Sequence, residues 1–167
     1  VLDNYNANLI TFSPNFAQDG IAFTEFGSYK MTFGVWKTTD RGETWSDSSN
    51  GLPVGASLTG YILSISPQFV QDQTVFAISD GGVFKSVDGG ESWLRVGKPP
   101  GYLPIQIAVS PHYINDQTLL TGDYNEGLFL SQDGGESWQH INFAVSPRQV
   151  GVRHIGSYQP WPPPSPP

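Results

Sequence analysis

The sequence predicts an all-β protein built from short strands separated by many turns. Gly and Pro number 19 and 14 among the 167 residues, aromatic residues make up 13% and charged residues only 14%. This aromatic content is too high for a disordered chain, and this Gly and Pro content is too high for a helical one. Two further observations support the prediction: one segment occurs three times, and apolar runs of strand length surround each copy.

The repeated segment is twelve residues long, begins with Gly and ends with Trp. Successive copies start 48 and 45 residues apart. They are GVWKTTDRGETW at Gly34–Trp45, GVFKSVDGGESW at Gly82–Trp93 and GLFLSQDGGESW at Gly127–Trp138. A period of this length is typical of proteins in which each repeat forms one structural unit.

A second motif precedes each copy of the first. In this Ser-Pro segment, an aromatic residue stands two positions after the proline and an Asp five positions after it. The three segments begin at Ser13, Ser66 and Ser110. Because two independent motifs recur in the same order, we interpret the chain as a repeat protein.

Apolar runs predict four strands in each repeat. The first strands are Leu9–Ser13, Ile62–Ser66 and Ile105–Ser110; the second are Ile21–Phe26, Thr74–Ile78 and Thr118–Thr121; the third are Val35–Thr38, Val83–Ser86 and Leu128–Ser131; the fourth begin at Trp45, Trp93 and Trp138. Four antiparallel strands in about 45 residues is the size of one β-propeller blade. We therefore predict three blades in residues 1–142, at approximately 9–48, 62–97 and 104–142, followed by a C-terminal extension at 143–167.

The turn between the third and fourth strands, which we name the Asp turn, has a physical explanation. Its Asp carboxylate accepts nearby backbone N–H groups, and the hydroxyl two positions earlier is a further partner. The Gly adopts a positive φ without a Cβ penalty, and the Trp anchors the turn by burying its ring. The residues concerned are Thr38, Asp40, Gly42 and Trp45; Ser86, Asp88, Gly90 and Trp93; and Ser131, Asp133, Gly135 and Trp138.

The pattern Ser/Thr-x-Asp-x-Gly-x-Ser/Thr-Trp resembles the Asp-box, or BNR repeat, of sialidase-like β-propellers. The resemblance covers roughly residues 9–142. Such repeats occur in sialidases, xyloglucan-degrading glycosidases, the Vps10 domains of sorting receptors and photosystem II assembly factors. In those families the Asp-box is a folding element away from the active site, so the resemblance implies a fold and leaves the function open.

The end of the blades opposite the Asp turns varies between repeats and is the predicted binding side. In an up-and-down blade, the turns between second and third strands and the links between blades lie there. Insertions on one face of a repeat protein often mark its binding side. Our candidate binding residues, each with an ordinary loop role as its alternative, are Tyr29, Lys30, Tyr61, Tyr102, Asp123 and Tyr124.

The residues for sialidase catalysis do not come together in this sequence. The resemblance implies three arginines that clamp a carboxylate, a Tyr nucleophile supported by a Glu, and an acidic acid/base. Arg41 lies in an Asp turn, Arg95 follows the Trp of the second repeat, and Arg148 and Arg153 lie beyond the last blade. We therefore predict a chain that is not an enzyme.

A glycosidase with two carboxylates is the catalytic alternative, because such enzymes place two acidic groups on either side of the sugar bond. Asp80 and Asp123 stand in equivalent hairpins of adjacent blades. Each also has the simpler explanation of a turn residue in a hairpin that contains Gly.

Charge and composition exclude other classes of function. Lys and Arg total 8 against 15 Asp and Glu, a formal net charge of −7, whereas nucleic acid and anionic membranes bind basic surfaces. No apolar run approaches the roughly 18 residues that cross a bilayer. The absence of cysteine excludes disulfides, thiolate catalysis and cysteine-based metal sites. The compartment stays open, with an extracellular, cell-surface or periplasmic location as our expectation.

We expect no metal and no cofactor. The histidines at 112, 140 and 154 show no ligand spacing, and the Asp-Gly-Gly-Glu runs lack the spacing of a calcium loop. The Pro-rich tail, which ends in QPWPPPSPP, favours polyproline II and predicts a spacer or a docking arm anchored by Trp161.

The blade count leads to the functional prediction. Three blades fall short of the roughly 4–8 that close a propeller, so we expect a protein partner or further copies of the chain to cover the open blade edges. The predicted function is a non-enzymatic protein-interaction or scaffolding module, within a longer chain or a larger assembly. The alternative is a carbohydrate-active module, either a glycosidase fragment or a lectin-like glycan binder. A narrower alternative, from the resemblance, is an assembly factor for a photosynthetic complex.

Overall fold

Twelve strands and three one-turn helices form the part of the chain that the computed structural model describes, which is residues 5–28, 33–53, 61–79, 81–101 and 104–142. Blade 1 contains β1 (Tyr5–Phe12), α1 (Phe16–Asp19), β2 (Ala22–Ser28), β3 (Phe33–Thr38) and β4 (Ser46–Asp47). Blade 2 contains β5 (Ile62–Ile65), α2 (Phe69–Asp72), β6 (Val75–Ser79), β7 (Gly82–Ser86) and β8 (Leu94–Gly97). Blade 3 contains β9 (Pro104–Val109), α3 (Tyr113–Asp116), β10 (Leu119–Asp123), β11 (Gly127–Ser131) and β12 (Gln139–Ile141).

Each set of four consecutive strands forms its own antiparallel sheet, with the strands in chain order. The predicted fold class, three four-stranded antiparallel blades of an incomplete propeller, is confirmed. The described residues contain three such sheets and no closed barrel. The largest departure from the predicted strands is at β1, which begins at Tyr5 instead of Leu9.

A one-turn helix follows each Ser-Pro pair, and the sequence analysis did not predict it. Four residues are too few to show the 3.6-residue period by which helices are recognised. Each helix ends at a residue in the left-handed conformation, which caps it by donating its N–H to the first carbonyl of the helix. The caps are Gly20, Gln73 and Gln117, and the aromatic residues of the Ser-Pro segments begin the helices at Phe16, Phe69 and Tyr113.

The blades stack face to face, so the two sides of each sheet have different neighbours. We name the side that faces the preceding blade the leading face, and the side that faces the following blade the trailing face. At the first joint, Phe23 and Val35 on the trailing face of blade 1 pack against Ile65, Val75 and Phe84 on the leading face of blade 2.

The second joint repeats the first at equivalent positions. Phe76, Ile78 and Val83 on the trailing face of blade 2 pack with Ile107 and Leu119 on the leading face of blade 3. Strand β6 is buried along its whole length, because its side chains alternate between the two joints. Since burial of a Phe or Ile side chain contributes roughly 1.5–3 kcal/mol, these joints hold the three blades together.

Two glycines bring neighbouring blades into close backbone contact. A Cβ atom at Gly51, in the link that follows blade 1, would lie 2.2 Å from the carbonyl oxygen of Trp93. A Cβ atom at Gly97, at the end of β8, would lie 2.2 Å from the carbonyl oxygen of Gly135. Both distances are far inside van der Waals contact, so any side chain at these positions would push the blades apart.

We expect Gly97→Ala to destabilise the fold by roughly 1–3 kcal/mol, because the new methyl group overpacks the second joint. The φ angle of Gly97 is not positive, so the substitution tests the clash without backbone strain. The free energy of unfolding from urea titration measures the effect.

Gly81→Ala is the matched control, since its Cβ would approach the Ser79 hydroxyl no closer than 3.3 Å. Its expected change is below about 1 kcal/mol. Equal losses in the two variants would show that the joint is not tightly packed at Gly97.

Candidate functional site

The Asp turns contain the hydrogen bonds that the sequence predicts. In the second turn, the Ser86 hydroxyl donates to Asp88 Oδ1 at 2.7 Å and accepts the Gly90 N–H at 2.8 Å. The N–H and the hydroxyl of Ser92 donate to the two carboxylate oxygens of Asp88 at 3.0 and 2.5 Å. The same bonds recur at Thr38, Asp40, Gly42 and Thr44 and at Ser131, Asp133, Gly135 and Ser137.

These hydrogen bonds hold the three carboxylates in the ionised form. For Asp40 and Asp133, the hydroxyl four positions later is the largest cause, and it lowers the pKa from 3.8 to about 2. For Asp88 burial is the largest single cause and raises the pKa, but the bonds from Ser92 and Ser86 together outweigh it and bring the pKa to about 2. At neutral pH these carboxylates are therefore ionised acceptors of the hydrogen bonds within their own turns.

The Ser-Pro segments contain a second serine–aspartate pair at the same end of each blade. The Ser66 hydroxyl donates to Asp72 Oδ2 at 2.7 Å, and Asp72 Oδ1 accepts the Thr74 N–H at 2.8 Å. The Gly89 N–H of the Asp turn donates to the Gln73 carbonyl at 2.9 Å, which joins the two motifs. Blades 1 and 3 repeat these bonds. At this end of every blade, the Asp side chains therefore bind hydroxyl and backbone N–H groups of the same blade.

The tryptophans of the Asp turns are buried to different extents. Trp93 is 2% exposed, and its Nε1–H donates to the Ser48 carbonyl of the preceding blade at 2.7 Å. Trp45 and Trp138 are half-buried. The ring of Trp93 therefore strengthens the first joint as well as its own turn.

At the opposite end of the blades, Asp123 and Tyr124 occupy the hairpin between β10 and β11. Tyr124 is 76% exposed, so its ring is open to solvent. Asp123 is buried, and its Oδ1 accepts the N–H groups of Asn125 and Glu126 at 2.9 and 3.0 Å. Its carboxylate also lies against Gly101, where a Cβ atom would approach Oδ2 to 2.3 Å. Asp123 thus closes its hairpin, which is the simpler of the two roles considered for it.

Tyr61 differs from the expectation for a surface binding residue. It is only 1% exposed, lies in the core of the first joint, and contacts the ring of Phe84 edge-on. Its hydroxyl donates to the Pro53 carbonyl at 2.8 Å. This burial cannot be read from the residues around Tyr61, because it follows a link rich in Gly and Ser.

The other candidates lie outside the described residues. These are the binding candidates Tyr29, Lys30 and Tyr102, the proposed second carboxylate Asp80, and the tail anchor Trp161. Within the described ranges, no group of three or more His, Asp or Glu side chains is placed to hold a metal ion. No helix in the same ranges is long and apolar enough to cross a membrane.

A polar cleft of about 380 Å³ lies at the rim of the first joint. Lys37 and Glu91 face each other across it in an ion pair of 2.8 Å. The Ser48 hydroxyl donates to the Gly90 carbonyl, and the Asn50 side chain donates to the Glu91 carbonyl. These three contacts connect blades 1 and 2 at the rim of the joint.

Both end faces of the blade stack expose large apolar side chains. On the leading face of blade 1, Ile10 and Phe12 are 53% and 56% exposed. On the trailing face of blade 3, Ile105 and Leu120 are 58% and 38% exposed, and with Leu128 they line an apolar groove of about 210 Å³. Neither of the two core clusters of the described residues includes these side chains.

Comparison with known proteins identifies the fold. No protein-family model and no curated protein matches the sequence. Among solved structures, the GH74 enzyme of Niastella koreensis matches 81% of this chain with a TM-score of 0.62 and 19% identity. The chain has the fold of β-propeller blades.

Two further neighbours carry different functions on this fold. The GH74 xyloglucanase of Xanthomonas campestris matches 80% of the chain with a TM-score of 0.56 and 18% identity. YCF48 bound to a D1 peptide matches 83% with a TM-score of 0.55 and 18% identity. The matched parts are 22% of the Niastella enzyme, 21% of the xyloglucanase and 44% of YCF48. The chain therefore spans less than half the length of each of these structures.

We expect Asp88→Asn to lower the melting temperature at neutral pH, because the amide replaces a charged acceptor of three hydrogen bonds. A loss of about 1 kcal/mol corresponds to roughly 2–4 °C for a chain of this size. The folded pKa near 2 lies below the unfolded value, so the stabilisation by Asp88 is present above about pH 4 and is lost as the pH falls towards 2.

Melting curves between pH 6 and 2 test this expectation. The difference between wild type and Asp88→Asn shrinks as the pH falls. Glu43→Gln is the control, because it removes one charge from an Asp turn and keeps the serine–aspartate bonds. A difference for Asp88→Asn that does not depend on pH would contradict the role given to the carboxylate.

Proposed function

We propose that this chain is a non-catalytic protein-interaction module of the Asp-box type, and that its two uncovered end faces bind protein. The observation that carries the proposal is the exposure of Ile10 and Phe12 on one face and of Ile105 and Leu120 on the other. Apolar surfaces of this kind are typical of interaction sites in soluble proteins. A protein surface covers them as one blade covers the next.

The roles of the chemistry-bearing residues support a function without catalysis. Arg41 has a left-handed backbone conformation, and its guanidinium N–H donates a hydrogen bond to the Ala17 carbonyl. This bond connects the first Asp turn to α1. Asp123 is buried within its own hairpin. The three Asp turn carboxylates likewise accept hydrogen bonds within their own turns. These aspartates therefore support a role in folding instead of catalysis.

The neighbour YCF48 supports the proposal by analogy, since it has the same fold and is bound to a D1 peptide. The GH74 neighbours support a second candidate, a carbohydrate-binding module, and Tyr124 is the exposed ring on which a sugar would stack. Calorimetric titration with xyloglucan oligosaccharides tests this candidate. Binding that Tyr124→Ala abolishes would favour it over protein binding.

Photo-crosslinking tests protein binding at the end faces. A benzophenone amino acid at Leu120 or at Phe12 is expected to form adducts with protein when the full chain is irradiated in an extract of its source. The same group at Val70, which is 58% exposed on α2 away from both faces, is the control.

Adducts at positions 120 and 12 and not at position 70 are the expected result. A folded protein that forms no adduct through either face would refute the proposal. The adduct mass also identifies the partner, since an adduct with twice the mass of the chain means a second copy.

A further inference from the structure

We propose that two copies of this chain associate head to tail, with the trailing face of blade 3 in one copy packed on the leading face of blade 1 in the other. This inference rests on the proposed function, because it names the protein that covers the two end faces. The two joints already present in the chain provide the geometry, since both are built from the same strand positions.

The trailing face of blade 3 has the positions that are buried in the other two blades. Strand pairing makes Leu120 the equivalent of Phe23 in blade 1 and Phe76 in blade 2. Phe23 and Phe76 are fully buried beneath the next blade, whereas Leu120 is 38% exposed. Blade 3 thus presents an apolar surface of the kind that the next blade covers at each existing joint.

The leading face of blade 1 exposes the positions that are buried on the leading faces of blades 2 and 3. Ile10, Leu63 and Ile107 occupy equivalent positions, because each pairs with the corresponding residue of the second strand in its blade. Leu63 and Ile107 are 7% and 4% exposed beneath the preceding blade, whereas Ile10 is 53% exposed. Phe12 differs in the same way from its equivalent Ile65, at 56% against 8%.

The helix aromatics provide the contact that repeats at each joint. Phe69 of α2 lies edge-on against Phe23 at 6.2 Å between ring centroids, and Tyr113 of α3 lies edge-on against Phe76 at 5.3 Å. In blade 1 the equivalent aromatic is Phe16, which is half-buried against Phe12 of its own blade. A third joint would bring Phe16 of one copy over Leu120 of the other.

One position on the trailing face is a lysine in blades 1 and 2 and a leucine in blade 3. Lys37 at the first joint pairs with Glu91, and Lys85 at the second lies over the rings of Phe76 and Tyr113. The equivalent position in blade 3 is Leu130. Closing the third joint therefore buries no ammonium group at this position. The net charge of −7 on each copy opposes association, so added salt is expected to strengthen it.

The number of blades in the described part of the chain favours two copies. The described part of each chain contains three blades, and closed propellers have roughly 4–8. Two copies of the described part give six blades and three copies give nine, so of these two assemblies only the dimer has a blade number within that range. Head-to-tail contacts are heterologous, and they form a ring only when the rotation closes.

Native mass of the full chain, from light scattering coupled to gel filtration, tests the proposal with two single-face variants. The wild type is expected at about 36 kDa, twice the 18.2 kDa of one chain. Leu120→Asp alone and Phe12→Asp alone are each expected to be monomers, because either charge blocks both joints of a ring of identical copies. Val70→Asp, an exposed apolar residue away from both faces, is expected to remain a dimer.

Mixing the two monomeric variants gives the decisive result. Leu120 of the Phe12→Asp chain and Phe12 of the Leu120→Asp chain are intact, so one joint forms and a one-to-one complex is expected. If Leu120→Asp does not fold, Ile105→Asp on the same face replaces it, since Ile105 is 58% exposed. Circular dichroism confirms that each variant is folded.

Three outcomes would overturn the proposal. They are a wild type that stays at 18.2 kDa over the accessible concentrations and salt range, a Phe12→Asp variant that remains a dimer while Leu120→Asp does not, and a mixture in which no complex forms. The second outcome would mean that trailing faces pair with each other. An 18.2 kDa wild type that is nevertheless crosslinked through Leu120 to a different protein would overturn this inference and leave the proposed function standing.

Discussion

The structure depends on one constraint, which is that a blade has two apolar faces and only neighbouring surfaces to cover them. Strand β6 of blade 2 shows the constraint satisfied, because it is buried on both sides by blades 1 and 3. Blades 1 and 3 satisfy it on one side only, so Phe12 and Leu120 remain exposed at the two ends of the stack. The described residues therefore contain two joints built from equivalent strand positions, and each end of the stack exposes the same positions without a covering blade.

The polar motifs make this stacking possible by fixing one end of each sheet. The serine–aspartate bonds of Ser86 and Asp88 close the outer hairpin, those of Ser66 and Asp72 close the inner one, and the N–H of Gly89 joins the two. Because the same bonds recur in all three blades, equivalent side chains reach equivalent places at every joint. The recurring aspartates thus bind within the architecture of each blade, and the proposed interaction surfaces lie on the sheet faces.

The sequence predicts the parts of the structure that local chemistry determines. The apolar run predicts strand β7 from Val83, and the strand begins at Gly82. The bonds of the Asp turns follow from residue types at fixed spacing. The short helices could not be predicted, because four residues carry no helical period. The burial of Tyr61 and the exposure of Ile10 depend on which blade lies alongside each face. Ile10 and Leu63 are both aliphatic residues in a first strand, and only the stacking order distinguishes them.

The central claim is that the two end faces are covered together by one kind of contact. Carbene footprinting of the wild-type chain at low and high protein concentration measures this most directly, because the probe labels apolar side chains that solvent reaches. The account predicts that labelling of Ile10, Phe12, Ile105 and Leu120 falls together as the concentration rises, while labelling of Val70 stays constant. Unchanged labelling at all four positions, or protection of one face alone, would contradict it.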